Sequence, residues 1–180
     1  MSEEKTVNSR YLYRGRIVTL RLDTVQDAEG KESTVEVIEH ADCIAVVAVD
    51  ERDNVLLVRQ FRKAIEKELL EIPAGGIGLG ESVEDAVRRE MQEETGFLPQ
   101  KLVRLGGFYS APGYCTEYLH LYLATGFMPN RLFAEDTEDI TLVRVPVKEI
   151  PELLSSGQIQ DSKSIAGLYV YLAYMKEQSK

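Results

Sequence analysis

The sequence has few cysteines and no concentration of positive charge. Its 180 residues include two cysteines, Cys43 and Cys115, which lie far apart and do not have zinc-like spacing. This excludes a disulfide framework and favours reduced thiols in a cytosolic protein. The formal net charge is −9 and no long basic run occurs. Nucleic acids and anionic membranes are therefore not expected as partners.

Long apolar runs are also absent. None reaches the roughly 18 residues that a membrane-spanning helix needs. The first ten residues, MSEEKTVNSR, have no apolar stretch of the kind found in secretory signals. We therefore predict a cytoplasmic protein that does not bind a membrane, with a flexible N-terminus over residues 1–10. The 44% hydrophobic content is enough for one domain, over residues 11–180.

The apolar pattern predicts many strands and a few helices. YLYRGRIVTLRLDTV is expected to form one strand, and STVEVIEH a second strand that pairs back on it. The uninterrupted apolar run CIAVVAVD predicts a strand buried on both faces. Helices are expected from about Ser82 to Thr95 and near the C-terminus. The fold class is therefore α+β, with a mixed β-sheet between helices.

The stretch GGIGLGESVEDAVRREMQEETGF contains the most informative pattern. Ser82 is a suitable N-cap for its helix, and Gly96 a suitable C-terminal stop. At 100° per residue, Glu90 and Glu94 fall in the middle of the apolar face, with Glu93 at its edge. These carboxylates therefore point towards the protein, near the helix end where the dipole disfavours anions.

Inward carboxylates need positive partners, because burying them unpaired is very unfavourable. One alternative is a buried arginine: Arg59, Arg62 or Arg89. A divalent cation is the other alternative, and it is favoured because three carboxylates in one turn need more charge than one guanidinium provides. Oxygen-only ligands suit Mg²⁺ or Mn²⁺ better than zinc. The glycines that precede the helix let the backbone approach a ligand closely, which suits phosphate chemistry.

This stretch resembles the box of the Nudix hydrolase family, G-x5-E-x7-R-E-U-x-E-E-x-G-U, where U is a bulky apolar residue. All fixed positions match; they are Gly75, Glu81, Arg89, Glu90, Met91, Glu93, Glu94, Gly96 and Phe97. The resemblance implies an α/β/α sandwich. It also implies hydrolysis of a diphosphate linked to another moiety, with two or more Mg²⁺ ions, or Mn²⁺, held on the box helix.

Sequence outside the box is similar to the ADP-ribose pyrophosphatase subfamily, in YLYRGRI, VEVIEH, VRQFR, EIPAG, SAPGYCTE and AEDTEDI. The implied activity is hydrolysis of ADP-ribose to AMP and ribose 5-phosphate. A pyrophosphatase for another nucleoside diphosphate sugar, such as GDP-mannose or a UDP-sugar, remains an alternative. A module that senses ADP-ribose without cleaving it is a further one, although this chain keeps every box carboxylate.

The resemblance also implies roles for individual residues. Metal ligands would be Glu90, Glu94, Glu93 and the backbone carbonyl of Ala74. Arg89 would orient a box carboxylate, and the catalytic base would be Glu138 or, as second candidate, Asp136. The implied substrate-binding residues are Arg16, Ile17, Glu36, Arg62, Pro112 and Gly113. The N-terminal strand region, residues 11–40, would form a homodimer. Close relatives often have other residues at Gly78 and Ala111, so contacts from these positions are not assigned.

Overall fold

Strand pairing organises most of the chain, whose computed structural model describes residues 4–134, 137 and 139–178. The described residues form two compact units. The first contains residues 4–42 together with Tyr109–Tyr118. The second contains Cys43–Phe108 and the residues from Leu119 onward.

The first unit is built on a three-stranded antiparallel sheet in the order β1-β2-β3. These strands are β1 (Lys5–Arg14), β2 (Val18–Gln26) and β3 (Glu32–His40). The pairing of β2 with β3 runs from Val18 opposite His40 to Gln26 opposite Glu32, so the predicted hairpin is confirmed.

The start of this sheet differs from the sequence-based expectation. The single strand predicted from Tyr11 to Val25 is wrong, because the chain turns between β1 and β2, where the Gly15 amide donates to the Val18 carbonyl at 2.9 Å. Residues 5–10, expected to be flexible, belong to β1 and pair with β2. The residues of β1 are exposed, so backbone pairing and not apolar burial defines the strand, and apolar periodicity gives no signal for it.

The strands of the second unit are β4 (Cys43–Val49), β5 (Asn54–Arg62), β6 (Lys67–Glu71), β7 (Ala74–Gly76), β8 (Phe97–Tyr109), β9 (Tyr118–Pro129) and β10 (Thr141–Pro146). The sheet is organised around β4, and this strand is buried along its whole length. This strand pairs in parallel with β9 and antiparallel with β5 and β7, which gives the predicted mixed sheet. The main path of the sheet is β10-β5-β4-β9-β8, with β6 beside β5.

Helices cover both faces of this sheet. The helices are α1 (Val83–Glu90), α2 (Ile150–Ser155) and α3 (Ser162–Gln178). Ile44, Val46 and Ala48 of β4 pack in a cluster with residues of α1, whereas the alternate residues of β4 pack with α2 and α3. The α/β/α sandwich is therefore confirmed, as is the prediction that this strand is buried on both faces. Among the described residues, no helix has the length and apolar character needed to cross a membrane.

The box helix is capped as its sequence predicts. The Ser82 hydroxyl accepts from the Asp85 amide at 3.1 Å. The regular helix ends at Glu90 and continues as a π-helical turn over Met91–Thr95. Gly96 follows with φ of 80°, a left-handed conformation that glycine adopts without strain. The predicted extent of the helix is thus correct, but its last turn is wider than an α-helix.

Candidate active site

The inward glutamates lie where α1 and its π-helical turn pack against the sheet. Glu94 is buried, with 6% of its surface exposed. Glu90 and Glu93 are half-buried, and so is Glu81, which lies in the loop before the helix. The structure therefore has four carboxylates next to the glycine-rich segment, residues 75–80. One is Glu81, and the other three come from two consecutive helical turns.

Arg89 is the cation that contacts most of these carboxylates. Its Nε and Nη2 donate to Glu81 at 2.9 and 3.0 Å, and its Nη1 donates to Glu90 at 2.6 Å and to Glu93 at 2.9 Å. Nη2 also donates to the Gly76 carbonyl at 2.8 Å. An arginine carries five N–H donors, so this guanidinium has no donor left for another group. The sequence left open whether an arginine or a cation neutralises the inward glutamates. The structure shows that Arg89 pairs with Glu90 and Glu93.

Glu94 is the carboxylate that Arg89 does not contact. Its Oε2 accepts from the Ala74 amide at 3.1 Å. Burial, and next the charge of Glu90, raise the pKa of Glu94 to about 8, although the Ala74 amide and the charges of Lys163 and Arg62 oppose this shift. The deepest carboxylate of the cluster is therefore the one that is least compensated.

Gly75 makes room for Glu90. It lies in β7, opposite Ile44 of β4. A Cβ atom built at Gly75 would lie 2.0 Å from both the carboxyl carbon and the Oε1 atom of Glu90. No side chain fits there unless Glu90 moves. By contrast, a Cβ atom at Gly76 would meet nothing within 4 Å.

The donor set of this cluster suits a hard divalent cation. The carboxylates of Glu90, Glu93 and Glu94 offer only oxygen, and the guanidinium beside them, that of Arg89, has no donor left for Glu94. A buried carboxylate with a raised pKa gains most from an added positive charge. Oxygen ligands of this kind select Mg²⁺ or Mn²⁺ over zinc. The donor chemistry of these residues therefore suits the metal that the sequence predicts.

Arg62 makes a contact that the sequence did not indicate. Its Nε and Nη2 donate to the two oxygens of Glu71 at 2.8 and 2.6 Å, in a bidentate pair. Glu71 is the last residue of β6, and its side chain is 1% exposed. Burial would raise the pKa of Glu71, but hydrogen bonds and charges from Arg62 and Lys163 outweigh burial and lower it.

Lys163 and Asp161 extend this pair to the start of α3. Lys163 contacts Glu71 and also donates to Asp161 at 2.9 Å. The same oxygen of Asp161 accepts from the Ser164 amide, which caps the helix. Sequence analysis missed Glu71, Lys163 and Asp161 as site neighbours. The available signals were the glutamate that begins the EIPAG motif and the Asp-x-Lys pattern at the start of a helix. Nothing in the sequence shows that these two segments meet.

The other predicted substrate-binding residues belong to the first unit. Arg16 and Ile17 lie between β1 and β2, and Glu36 lies in β3; all three are exposed. Pro112 and Gly113 lie in an exposed turn. The segment with this turn is joined to β3 at Ile38, whose amide donates to the Tyr114 carbonyl at 2.7 Å. Arg62 and the glutamate cluster belong to the second unit. Both candidate bases, Glu138 and Asp136, lie outside the described residues.

The raised pKa of Glu94 predicts a pH-dependent stability when metal is chelated. Between the unperturbed value of 4.5 and about 8, the folded protein keeps a proton that the unfolded chain has lost. The free energy of unfolding should therefore fall as pH rises through this window. Glu94→Gln removes the free-energy cost of ionising a buried carboxyl group. At pH 8 the variant should therefore be more stable than the wild type by a few kcal/mol, since one pKa unit corresponds to about 1.4 kcal/mol.

Urea unfolding in EDTA at about pH 5, 6.5 and 8 measures this difference. Glu84→Gln is the matched control, because Glu84 is an exposed residue in the first turn of the same helix. The difference in the free energy of unfolding between Glu84→Gln and the wild type should be the same at all three pH values. A difference between Glu94→Gln and the wild type that stays constant from pH 5 to 8 would contradict the assignment.

Comparison with known proteins agrees with this geometry. The family model for the NUDIX domain matches residues 39–167, and the model for the nucleoside diphosphate sugar hydrolase N-terminal domain matches residues 4–38. The chain is 32% identical to an ADP-ribose pyrophosphatase of Bacillus subtilis over 164 residues, which cover 90% of this chain and 89% of that protein. It is 35% identical to an ADP-ribose pyrophosphatase of Mycobacterium tuberculosis over 167 residues, which cover 91% of this chain and 81% of that protein.

Two further relatives broaden the comparison. A methanol dehydrogenase activator of Bacillus methanolicus is 33% identical over 165 residues, which cover 91% of this chain and 89% of that protein. The crystal structure of an ADP compounds hydrolase superposes with a TM-score of 0.89, covers 98% of this chain and 96% of its own, and is 23% identical, which supports the fold alone. With the NUDIX match spanning residues 39–167 and the box residues gathered around Arg89, the chain belongs to the Nudix family.

Proposed function

We propose that this protein hydrolyses ADP-ribose to AMP and ribose 5-phosphate with the help of divalent cations. The observation that carries the proposal is the grouping of Glu90, Glu93 and Glu94 on successive helical turns beside the glycine-rich β7 segment, with Glu94 buried and its pKa raised. Two relatives that align over most of the chain are ADP-ribose pyrophosphatases, which supports this substrate. Cytoplasmic location is part of the proposal and rests on sequence composition.

Each residue of the cluster has a proposed task. Glu90, Glu93, Glu94 and the Ala74 carbonyl would hold two or more Mg²⁺ ions, or Mn²⁺. When bound, these cations would neutralise diphosphate charge and lower the pKa of a water molecule. Arg89 keeps Glu81, Glu90 and Glu93 in place, and its five hydrogen bonds leave it no donor for substrate.

The substrate-binding residues complete this assignment. Arg62 would donate to a phosphate oxygen through N–H groups that Glu71 does not occupy. Arg16, Ile17 and Glu36 would bind the adenosine end. Pro112 and Gly113 would also bind substrate. The residues of this set that belong to the first unit are all exposed, which is consistent with a ligand contact; they are Arg16, Ile17, Glu36, Pro112 and Gly113.

Other substrates are the main competing possibility. A GDP-mannose pyrophosphatase of Enterobacter sp. is 32% identical over 124 residues, but these cover 64% of this chain. The ADP-ribose pyrophosphatases match a larger share, so ADP-ribose is the better-supported substrate. A module that senses ADP-ribose without cleaving it would not need a complete set of box carboxylates, and this chain retains all of them.

A panel of nucleoside diphosphate sugars tests the function directly. With Mg²⁺, the wild-type protein should cleave ADP-ribose faster than GDP-mannose or UDP-sugars, and mass spectrometry should identify AMP and ribose 5-phosphate. Glu90→Gln and Glu94→Gln should each abolish most activity while the fold is retained, because each removes a cation ligand. Near wild-type rates in both variants would overturn the metal assignment. Binding of ADP-ribose without cleavage would favour the sensing module.

Gly75→Ala provides a sharper test of the cluster. The added methyl group would displace the Glu90 carboxylate, which is a flexible side-chain end, so activity should suffer more than stability. We expect kcat to fall by about 10²-fold, as for a misplaced catalytic group, with a Tm close to that of the wild type. Gly76→Ala is the matched control and should retain activity. Equal activity of the two variants would show that the position of Glu90 is not critical.

The catalytic base is proposed to be Glu138, with Asp136 as the second candidate. Carboxylates that hold a cation are poor proton acceptors, so an acid outside the cluster should accept the proton from water. Glu138→Gln should lower kcat by about 10²–10⁴ with little change in KM. Glu135→Gln should have almost no effect. If no single substitution at 135, 136, 138 or 139 lowers kcat tenfold, the water is activated by cations alone.

A homodimer formed through residues 11–40 is the proposed assembly. Four apolar or aromatic residues of β1 are exposed: Val7, Tyr11, Leu12 and Tyr13. A second copy of the chain could cover this surface, which would otherwise be unusually apolar. Light scattering should give twice the monomer mass at micromolar concentration. A monomer with full activity would overturn this assembly.

A further inference from the structure

Glu71 is a buried carboxylate shared by two cations. Arg62 approaches it from β5 through a bidentate pair, and Lys163 approaches it from the first turn of α3. Asp161 accepts a second hydrogen bond from Lys163 at 2.9 Å. Two cations thus face two carboxylates, and the group is neutral as a whole. We call these four residues the Glu71 network.

The members of the Glu71 network differ in their access to solvent. The side chain of Glu71 is 1% exposed and that of Lys163 is 13% exposed, but that of Arg62 is 39% exposed. Arginine has five N–H donors, and Glu71 occupies two of them. Arg62 is therefore the member of the network that can still contact a ligand, while Glu71 and Lys163 are enclosed behind it.

Strand register shows how far the Arg62 guanidinium must reach to contact Glu71. Arg62 pairs with Lys67, and Glu71 pairs with Val58, at the other end of the β5–β6 ladder. The two positions are four residues apart in sequence, which is about 13 Å along a strand. The Arg62 side chain must extend along the ladder to reach Glu71. A bidentate pair also fixes the plane of the guanidinium, which a single hydrogen bond does not.

The Glu71 network also acts on the glutamate cluster. Ala74, three residues after Glu71, donates its amide to Glu94. Lys163 and Arg62 also interact electrostatically with Glu94. Arg62 therefore lies within electrostatic range of the carboxylate that is proposed to hold a cation. A buried ion cluster that only stabilised the fold would not need to place a partly exposed guanidinium there.

We propose that Glu71 is a positioning residue: with Lys163 behind it, Glu71 holds Arg62 in the orientation that binds the diphosphate of the substrate. This inference rests on the proposed function, because it takes the ligand of Arg62 to be a nucleoside diphosphate sugar. Glu71 itself does not touch the substrate. Its effect on binding must therefore pass through Arg62, which makes it separable from a general effect on stability.

A double-mutant cycle tests this dependence. Its four proteins are the wild type, Glu71→Gln, Arg62→Met and the double variant. The measurement is the Kd for ADP-ribose by calorimetry in EDTA, where no turnover occurs. We expect Glu71→Gln to weaken binding about tenfold when Arg62 is present, within the range of coupled neighbours. In the Arg62→Met background the same substitution should change the Kd less than twofold. An equal loss in both backgrounds, or no loss in either, would overturn the proposal.

A second variant keeps the test valid if Glu71→Gln does not fold. Lys163→Met leaves the Arg62–Glu71 pair but removes the cation behind it, so binding should weaken about threefold, and only when Arg62 is present. Lys176→Met, on an exposed position of the same helix, is the matched control and should not change the Kd. A loss that is the same with and without Arg62 would show that Lys163 acts on the fold alone.

The substrate panel separates this inference from the proposed function. If the wild-type protein binds another nucleoside diphosphate sugar in place of ADP-ribose, the proposed substrate is wrong. The cycle is then measured with that compound, because all of them share the diphosphate. Binding that depends on Glu71 through Arg62, without any hydrolysis in Mg²⁺, would support the positioning role and overturn the enzyme assignment. If the wild type binds none of the panel, both proposals are wrong.

Discussion

Repulsion among carboxylates at the end of one helix is the constraint on which the site depends. Glu90, Glu93 and Glu94 lie within two turns, near the negative end of the helix dipole, and Glu94 is buried. Each of these facts opposes the charged form of a carboxylate. The surrounding structure reduces the repulsion but does not remove it, since burial and the charge of Glu90 still raise the pKa of Glu94. A site built in this way favours the binding of positive charge.

Three neighbouring features keep the carboxylates in place despite this repulsion. Arg89 commits its five donors to the cluster and to the Gly76 carbonyl. Gly75 has no side chain, so Glu90 can lie against the backbone of β7. The Ala74 amide donates to Glu94. Because β7 pairs with β4, these contacts are anchored to a strand that is buried along its whole length.

The sequence predicted the parts of the site that depend on local periodicity. The caps at Ser82 and Gly96 and the inward direction of Glu90 and Glu94 follow from spacing within one helix, and the structure has all of them. Contacts between distant segments could not be predicted in this way. Lys163 meets Glu71 across 92 residues, and no periodic signal connects the two. The same limit explains β1, whose exposed residues are ordered by pairing with β2 and carry no apolar pattern.

The glutamate cluster and the Glu71 network address charge in opposite ways. Arg62 and Lys163 match Glu71 and Asp161 in number, so the network can be buried without a ligand. The cluster has one guanidinium for the four carboxylates of Glu81, Glu90, Glu93 and Glu94, so the remaining negative charge favours the uptake of a cation or a proton from solution. A neutral group therefore borders an incompletely neutralised one. The link between them is Arg62, the partly exposed member of the network, which lies within electrostatic range of Glu94.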